Sequence, residues 1–463
     1  MDHHAPAGDA LYNTRLNPRH LMVMFWCSML MLFDGYDLVI YGSILPHLMH
    51  DWELSPVTAG FIGSSALFGM MVGALTLGSS SDRFGRRRII LLCLVLFGIA
   101  AFGNAFCTNT TEFALCRFMT GVGLGGMVPN IVALVTEMSP RSKRNIMVTV
   151  MLSFFSVGGV IAALIGKAIT PEFGWRANFL IAGIPLLFFP AFYKWLPESI
   201  IYLISQKRFA RAEPVLRRYA PDFQGSAASL AAADDDMVHT RVRAAELFSH
   251  GRLMDTLFLW VAFGMCMLMV YGLNTWLPKL MAANGYSLSS SLAFLITLNI
   301  GAVIGGLCSG WLADRYGGKP TLILFFAMAA IVIGLLGYKQ SPIVLNTLLI
   351  AAGATTIGTL CIAHAFAAQL YPAGIRSTGV GWAAAAGRFG AMAGPALGGY
   401  LLSQKFAISF SFLVFAAPGV VAAIAVLLIS SRRVRAENPV HTLATQAKLT
   451  PRSSIYKHHG EIA

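Results

Sequence analysis

The sequence predicts an all-α membrane protein with twelve transmembrane helices in two six-helix pseudo-repeats. Three observations predict it. Apolar residues make up 56% of the 463 residues and charged residues only 12%, where a soluble domain carries about 25% charged residues, and mean hydropathy is +0.66. The apolar residues fall into twelve segments of membrane-crossing length, at approximately 21–46, 57–79, 88–107, 111–136, 145–169, 177–196, 253–282, 290–312, 320–337, 342–368, 377–401 and 407–430. One pattern also recurs. Gly78-Ser-Ser-Ser-Asp82-Arg83-Phe-Gly85-Arg86-Arg87-Arg88 follows the second segment, and Gly310-Trp-Leu-Ala-Asp314-Arg315-Tyr-Gly317-Gly-Lys319 follows the eighth, with Gly, Asp, Arg and Gly aligned at a constant offset of 232. A duplicated loop at the same place in each half indicates two parallel repeats related by an axis along the membrane normal.

Residues 1–20 are polar and lack a cleavable signal pattern, so the first segment is expected to act as its own insertion signal. That segment, opening the bundle at 21–196, carries Asp34 and Asp37 near its centre. A carboxylate at the bilayer midplane costs roughly 2.5–3.5 kcal/mol on insertion scales and marks a proton or ion path more often than not. The plainer role is an interhelical clamp. Three residues apart, the two share one helix face, and Gly35 between them permits close packing or a local break. Arg117 in the fourth segment sits within about 5 Å of the depth of Asp37, counting 1.5 Å per residue, so a pair across helices 1 and 4 is expected. Glu137, at the inner end of the fourth segment, joins these three as a candidate proton-handling group, in a gate or loop network with Arg141.

The one long loop, 197–252, divides the chain into its halves. It holds helix-forming material from Lys207 to Tyr219, a loose stretch at 225–229 and the acidic run Asp234-Asp235-Asp236. The second bundle, 253–430, contributes candidate cavity residues: Tyr271, Asn274 and Trp276 in the seventh segment, which fit an interfacial or packing role equally well, His364 in the tenth, where a lone His is more often satisfied structure than relay, and Arg388 in the eleventh. Arg388 falls near the midplane with no acid at that depth in its own half. It is a candidate anion site, because a guanidinium grips a carboxylate bidentately. The tail, 431–463, is polar and expected to be disordered.

The net charge of +13 reflects topology and not nucleic-acid binding. With the N-terminus in the cytoplasm, 26 of the 34 Lys and Arg fall in inside segments, 5 in outside loops, and the other 3 are Arg117, Lys194 and Arg388. The positive-inside rule therefore places both termini in the cytoplasm. The seven cysteines lie in apolar segments, with no metal-ligand spacing, and read as small buried hydrophobes. No Ser–His–Asp pattern, metal cluster or phosphate-binding loop is present, so neither an enzyme nor a cofactor is expected.

At the duplicated loop the sequence resembles the major facilitator superfamily, whose signature is G-x-L-A-D-R-x-G-R-R/K. The second copy matches, and the first has Ser80 where Leu is usual. Gly78, Asp82, Arg83, Gly85 and Arg86, with Gly310, Asp314, Arg315 and Gly317, are expected to form gating loops: Gly78 and Gly310 allow tight helix contact, Asp82 and Asp314 accept hydrogen bonds from backbone N–H groups or Arg side chains, and the glycines turn the chain, in a cytoplasmic latch that holds in the outward-open state. Pro197-Glu198-Ser199 also fits the superfamily. So does Gly390-Ala-Met-Ala-Gly394-Pro395, although it resembles an antiporter signature that belongs in helix 5, whereas here it lies in helix 11. Within the superfamily, Asp34-Gly-Tyr-Asp37, Gly121-Val-Gly-Leu-Gly-Gly-Met-Val-Pro-Asn130 and Arg376-Ser-Thr-Gly-Val-Gly-Trp382…Gly387-Arg388 are similar to the aromatic acid:proton symporters. That resemblance implies a monomeric permease of the bacterial inner membrane, importing a benzoate- or hydroxybenzoate-type acid. Asp34 or Asp37 would take a proton and Arg388 the substrate carboxylate, with Tyr36 and the seventh-segment aromatics against the ring. A proton-coupled exporter is the alternative.

Overall fold

A computed structural model describes residues 16–140, 143–221, 225–234, 244–249, 251–371 and 375–430. Arg141 of the expected loop network, Asp235 and Asp236 of the acidic run, and the tail lie outside the described residues. Twelve helices carry the fold: α1 Pro18–Asp51, α2 Pro56–Phe84, α3 Arg86–Phe106, α4 Thr110–Met138, α5 Arg144–Phe173, α6 Arg176–Trp195, α7 Leu253–Ala283, α8 Leu288–Tyr316, α9 Gly318–Leu335, α10 Pro342–Leu370, α11 Arg376–Ser403 and α12 Ile408–Leu428. Eleven are long and apolar enough to cross a membrane. The twelfth, α11, is diluted by Arg388 and seven glycines.

The helix starts follow from local chemistry. Ser55, Ser287 and Ser341 each accept a hydrogen bond from the backbone N–H three residues on, and Pro56 and Pro342 occupy the first helical position behind their serines. Asn17 and His20 cap α1 reciprocally. Helix α6 is the irregular one, passing from Arg176–Ala182 through a 3-10 turn at Ile184–Phe188 into Phe189–Trp195. Gly183, Pro185 and Pro190 account for the breaks.

Packing repeats between the halves. In the first, α1 lies on α5 and α2 on α4; in the second, α7 lies on α11 and α8 on α10. The halves meet through the symmetric pair α2–α11 and α8–α5, with α1 against α7. Gly35 serves the α1–α5 crossing, where a Cβ would stand 1.8 Å from the Phe155 carbonyl oxygen. The tight approaches between halves fall at the end opposite the duplicated loops: Gly42 on Asn274, Gly60 on Pro395 and Gly399 on Pro56. Ser64 Oγ donates to the Met392 carbonyl there at 2.7 Å.

The duplicated loops turn where expected, with Gly85 at φ 98° and Gly317 at φ 93°, a region open to glycine. Two expectations fail. Gly310 does not serve a close helix contact, because nothing lies within 4 Å of where its Cβ would be, although Gly78 has Pro129 at 3.3 Å. Asp82 and Asp314 are exposed and accept no hydrogen bond among the described residues. Each loop is instead tied within its own half. Arg87 Nη2 donates to the Tyr193 carbonyl near the end of α6, and its repeat equivalent Lys319 donates to Leu427 and Ile429 at the end of α12, at 2.9 and 2.6 Å. Both cations answer the free carbonyls at a helix C-terminus.

In the long loop, helices Ile200–Ser205, Phe209–Tyr219 and Ala227–Asp234 form a small satellite core around Leu203, Ala212 and Leu216. The stretch 225–229 is therefore partly helical, with Ser226 Oγ accepting from Ser229 N at 3.1 Å. The cysteine expectation holds in part, since Cys308 and Cys361 are exposed.

Gly35→Val is expected to destabilise the bundle by about 3 kcal/mol or more, the cost of overpacking a fixed backbone contact. Gly264→Ala, which meets nothing within 4 Å, should melt like the parent. Thermal unfolding in detergent, followed by intrinsic fluorescence, checks both.

Candidate functional site

The five polar groups that the sequence buries in the bundle centre, Asp34, Asp37, Arg117, His364 and Arg388, come from two helices of the first half and two of the second. Asp37 on α1 meets Arg117 on α4, with Nη1 donating to Oδ1 at 2.7 Å; both side chains are about 97% buried. Arg117 also lies over the Tyr41 ring, 5.2 Å from its centroid, and Tyr41 Oη donates to the Ala59 carbonyl at 2.5 Å. The guanidinium is thus held by a carboxylate and an aromatic face.

Asp34, one helical turn below Asp37, is 4% exposed, and its Oδ1 has no hydrogen-bond partner. It faces a cavity of about 20 Å³ shared with Asp37, Arg117, Met70, Phe155 and Tyr271. That volume holds about one water and no aromatic ring. On the far side stands Arg388 of α11. It is half-buried, Nη1 donates to Tyr271 Oη at 3.3 Å and contacts Met70 Sδ at 3.5 Å. The sequence leaves Arg388 without an acid in its own half. The acid within its electrostatic reach is Asp34, from the other half. His364 is also within reach of Arg388; its Nδ1 lies 2.8 Å from the Leu360 carbonyl and its ring meets Phe263 edge-on at 5.0 Å.

Four other candidates lie elsewhere. Tyr36 is turned towards α6, where its hydroxyl donates to the Asn178 carbonyl at 3.0 Å. Trp276 is fully buried between α7 and α11, with Nε1 donating to the Pro395 carbonyl at 2.8 Å. Asn274 accepts from Asn299 Nδ2 at 3.3 Å and packs under Gly42. These three residues hold helices together and do not line the cavity. Glu137 is separated from Arg117 by twenty positions of α4, about 30 Å. It pairs with Arg86 Nη2 at 2.5 Å and accepts from the Ser199 hydroxyl, so it belongs to the loop clamp and not to the Asp34–Asp37 group. Glu198 completes that clamp, accepting from Arg87 N at 3.1 Å at the start of α3.

The sequence reading missed Tyr41, Met70, Phe155 and Thr275, all of which line the cavity. Only their spacing on faces shared with Asp34, Asp37 or Tyr271 could have marked them. Asn299, a polar residue deep in an apolar segment, was visible and passed over.

The Major Facilitator Superfamily profile matches residues 27–306 and 296–460. The chain belongs to this superfamily. Among its relatives, the benzoate transport protein of Acinetobacter baylyi is 39% identical over 446 residues, spanning 95% of each chain. The gentisate transporter of Corynebacterium glutamicum is 34% identical, over 85% of this chain and 84% of its own. The 4-hydroxybenzoate transporter PcaK of Pseudomonas aeruginosa is 32% identical, over 89% of this chain and 93% of its own. Among solved structures, the partially occluded inward-open xylose transporter XylE of E. coli superposes with a TM-score of 0.70 at 20% identity, covering 88% of this chain and 97% of that one. This chain is therefore a multi-pass membrane transporter of the superfamily and not an enzyme.

Asp37→Ala strands a buried guanidinium and is expected to cost about 3–5 kcal/mol, whereas replacing both partners together, Asp37→Leu with Arg117→Met, should restore most of the loss. Melting of the single and double variants decides it; equal losses would refute a purely mutual pair.

Proposed function

We propose that this transporter imports an aromatic carboxylate of the benzoate or hydroxybenzoate class together with protons, by alternating access, acting as a monomer in the bacterial cytoplasmic membrane with both termini inside. The observation that carries the reading is Arg388. It is a half-exposed midplane guanidinium with no carboxylate hydrogen-bonded to it, opposite an Asp34 oxygen that lacks a partner. The named substrates of the relatives, benzoate, gentisate and 4-hydroxybenzoate, are the anions such a guanidinium grips.

The bundles 21–196 and 253–430 are the two moving bodies in this reading. Asp34 carries the proton, because Asp37 is engaged by Arg117 and serves to fix α1 against α4. The substrate carboxylate docks on Arg388, with its ring between Phe155, Tyr271 and Met70. Docking engages the Arg388 charge and leaves Asp34 to be neutralised by a proton. The neutral assembly then passes between states. The halves make their tight glycine approaches at the end opposite the duplicated loops, and on this orientation the loops with the exposed Asp82 and Asp314 face the cytoplasm. Glu137 belongs to the hinge between α4 and the loops, outside the proton path.

Uptake of radiolabelled benzoate and 4-hydroxybenzoate into proteoliposomes tests this. Accumulation should require an inward proton gradient and vanish when the gradient is dissipated. Asp34→Asn should abolish accumulation while leaving exchange of labelled for unlabelled substrate. Arg388→Gln should weaken binding at least about thirtyfold, as removing one side of a buried charged contact does. Gradient-driven efflux of a preloaded acid would overturn import in favour of export.

A further inference from the structure

A second site lies away from the transport cavity, where α1 begins, α3 begins and α6 ends. A groove of about 650 Å³ opens there against the helix Phe209–Tyr219. Seven basic side chains line it and one acid, Glu198. Glu198 is already occupied, accepting from the backbone N–H groups of Arg87 and Ser199 at 3.1 and 3.0 Å. Arg88, Arg208 and Arg211 line both the groove and an adjoining pocket, all exposed and none paired with a carboxylate among the described residues. Gathering three guanidinium groups without counter-charge costs repulsion. The satellite core imposes it by burying Ala212, Leu216 and Tyr219 on one face of the short helix and turning the arginines outward.

The remaining wall is largely apolar. Met22, Leu91 and Leu196 line the groove floor. Trp195, 40% exposed, stacks on Trp26 at 5.2 Å, with Phe25 50% and Tyr193 59% exposed beside it. Aromatic side chains at the end of a span mark the headgroup level. A volume of this size suits a drug-sized molecule and exceeds what a lone phosphate fills. A cluster of cations next to exposed aromatics and an apolar floor matches a molecule with an anionic phosphate head and hydrocarbon below.

We propose that this groove binds the headgroup of an anionic phospholipid, with its phosphate on Arg88, Arg208 and Arg211 and its upper acyl chain along Trp195 and Phe25. The leaflet is the cytoplasmic one on the orientation proposed above. Bound there, the lipid ties the central loop to α3 and α6 of the first half.

Native mass spectrometry of the full chain, delipidated in mild detergent and supplied with dioleoyl phosphatidylglycerol or dioleoyl phosphatidylcholine, tests the site without reference to transport. Phosphatidylglycerol should be retained well above phosphatidylcholine. Each arginine near the surface contributes roughly a fivefold factor. Arg211→Gln should therefore lower retention about fivefold, and the triple variant Arg88→Gln, Arg208→Gln, Arg211→Gln should bring it to the phosphatidylcholine level. The single variant keeps the test decisive should the triple one fail to fold. Equal retention by parent and variants would overturn the proposal. Displacement of the lipid by excess inorganic phosphate would also overturn it, by assigning the groove to a soluble anion.

Discussion

A charge inside a membrane must be answered by another charge or removed, and the centre of this transporter is built on that constraint. Asp37 and Arg117 answer each other at 2.7 Å, fully enclosed. Removing either would strand its partner at a cost well above the stability gained from an ordinary contact. The pair therefore fixes where α1 meets α4, and with it the register of the first half. Tyr41 closes the guanidinium's open face, and Gly35 brings the same stretch of α1 down onto α5. With Asp37 committed in this way, Asp34 is the carboxylate left over, aimed at the other half of the molecule.

The duplicated sequence is read differently by its two surroundings. Positions 87 and 319, 232 residues apart, both bind carbonyls at the end of the last helix of their half. This explains a conserved offset of basic residues better than topology alone, since any cation would satisfy topology. The first loop is further clamped by Glu137, Glu198 and Ser199, while beside the second it is Asp255 that accepts, from Ser430 N at 2.9 Å. The two halves share a backbone plan and differ in which side chains hold their loops.

The fold was legible almost entirely. Twelve apolar segments, Ser-Pro helix starts and the repeat all carry their meaning locally, so the sequence states them directly. The Asp37–Arg117 pair was legible too, because helix geometry converts residue number into depth. What depended on helix rotation was not. Tyr36, Asn274 and Trp276 sit at the right depth yet face α6, α8 and α11, where their polar atoms find carbonyls or an amide. An apolar segment with no amphipathic face gives no rotational signal, since lipid and protein interior look alike. Glu137 was assigned by type and not by distance. Arg388 lacked a visible acid because its counter-charge lies in the opposite half, more than 350 residues away in sequence.

That placement bears on coupling. Asp34 and Arg388 belong to the two bodies that must separate and rejoin, so their mutual attraction holds one arrangement of the halves. On the proposed reading, an incoming carboxylate takes over Arg388 and leaves Asp34 uncompensated in an apolar cavity barely larger than a water. A proton is the smallest species that resolves this, and among the described residues the one cationic side chain lining the cavity is Arg117, which is already paired. One carboxylate and one proton then take the place of the attraction between Asp34 and Arg388, and the net charge of the midplane layer is unchanged through the cycle. Substrate without proton, or proton without substrate, leaves an unbalanced charge buried, which is the energetic reason for the two to move together.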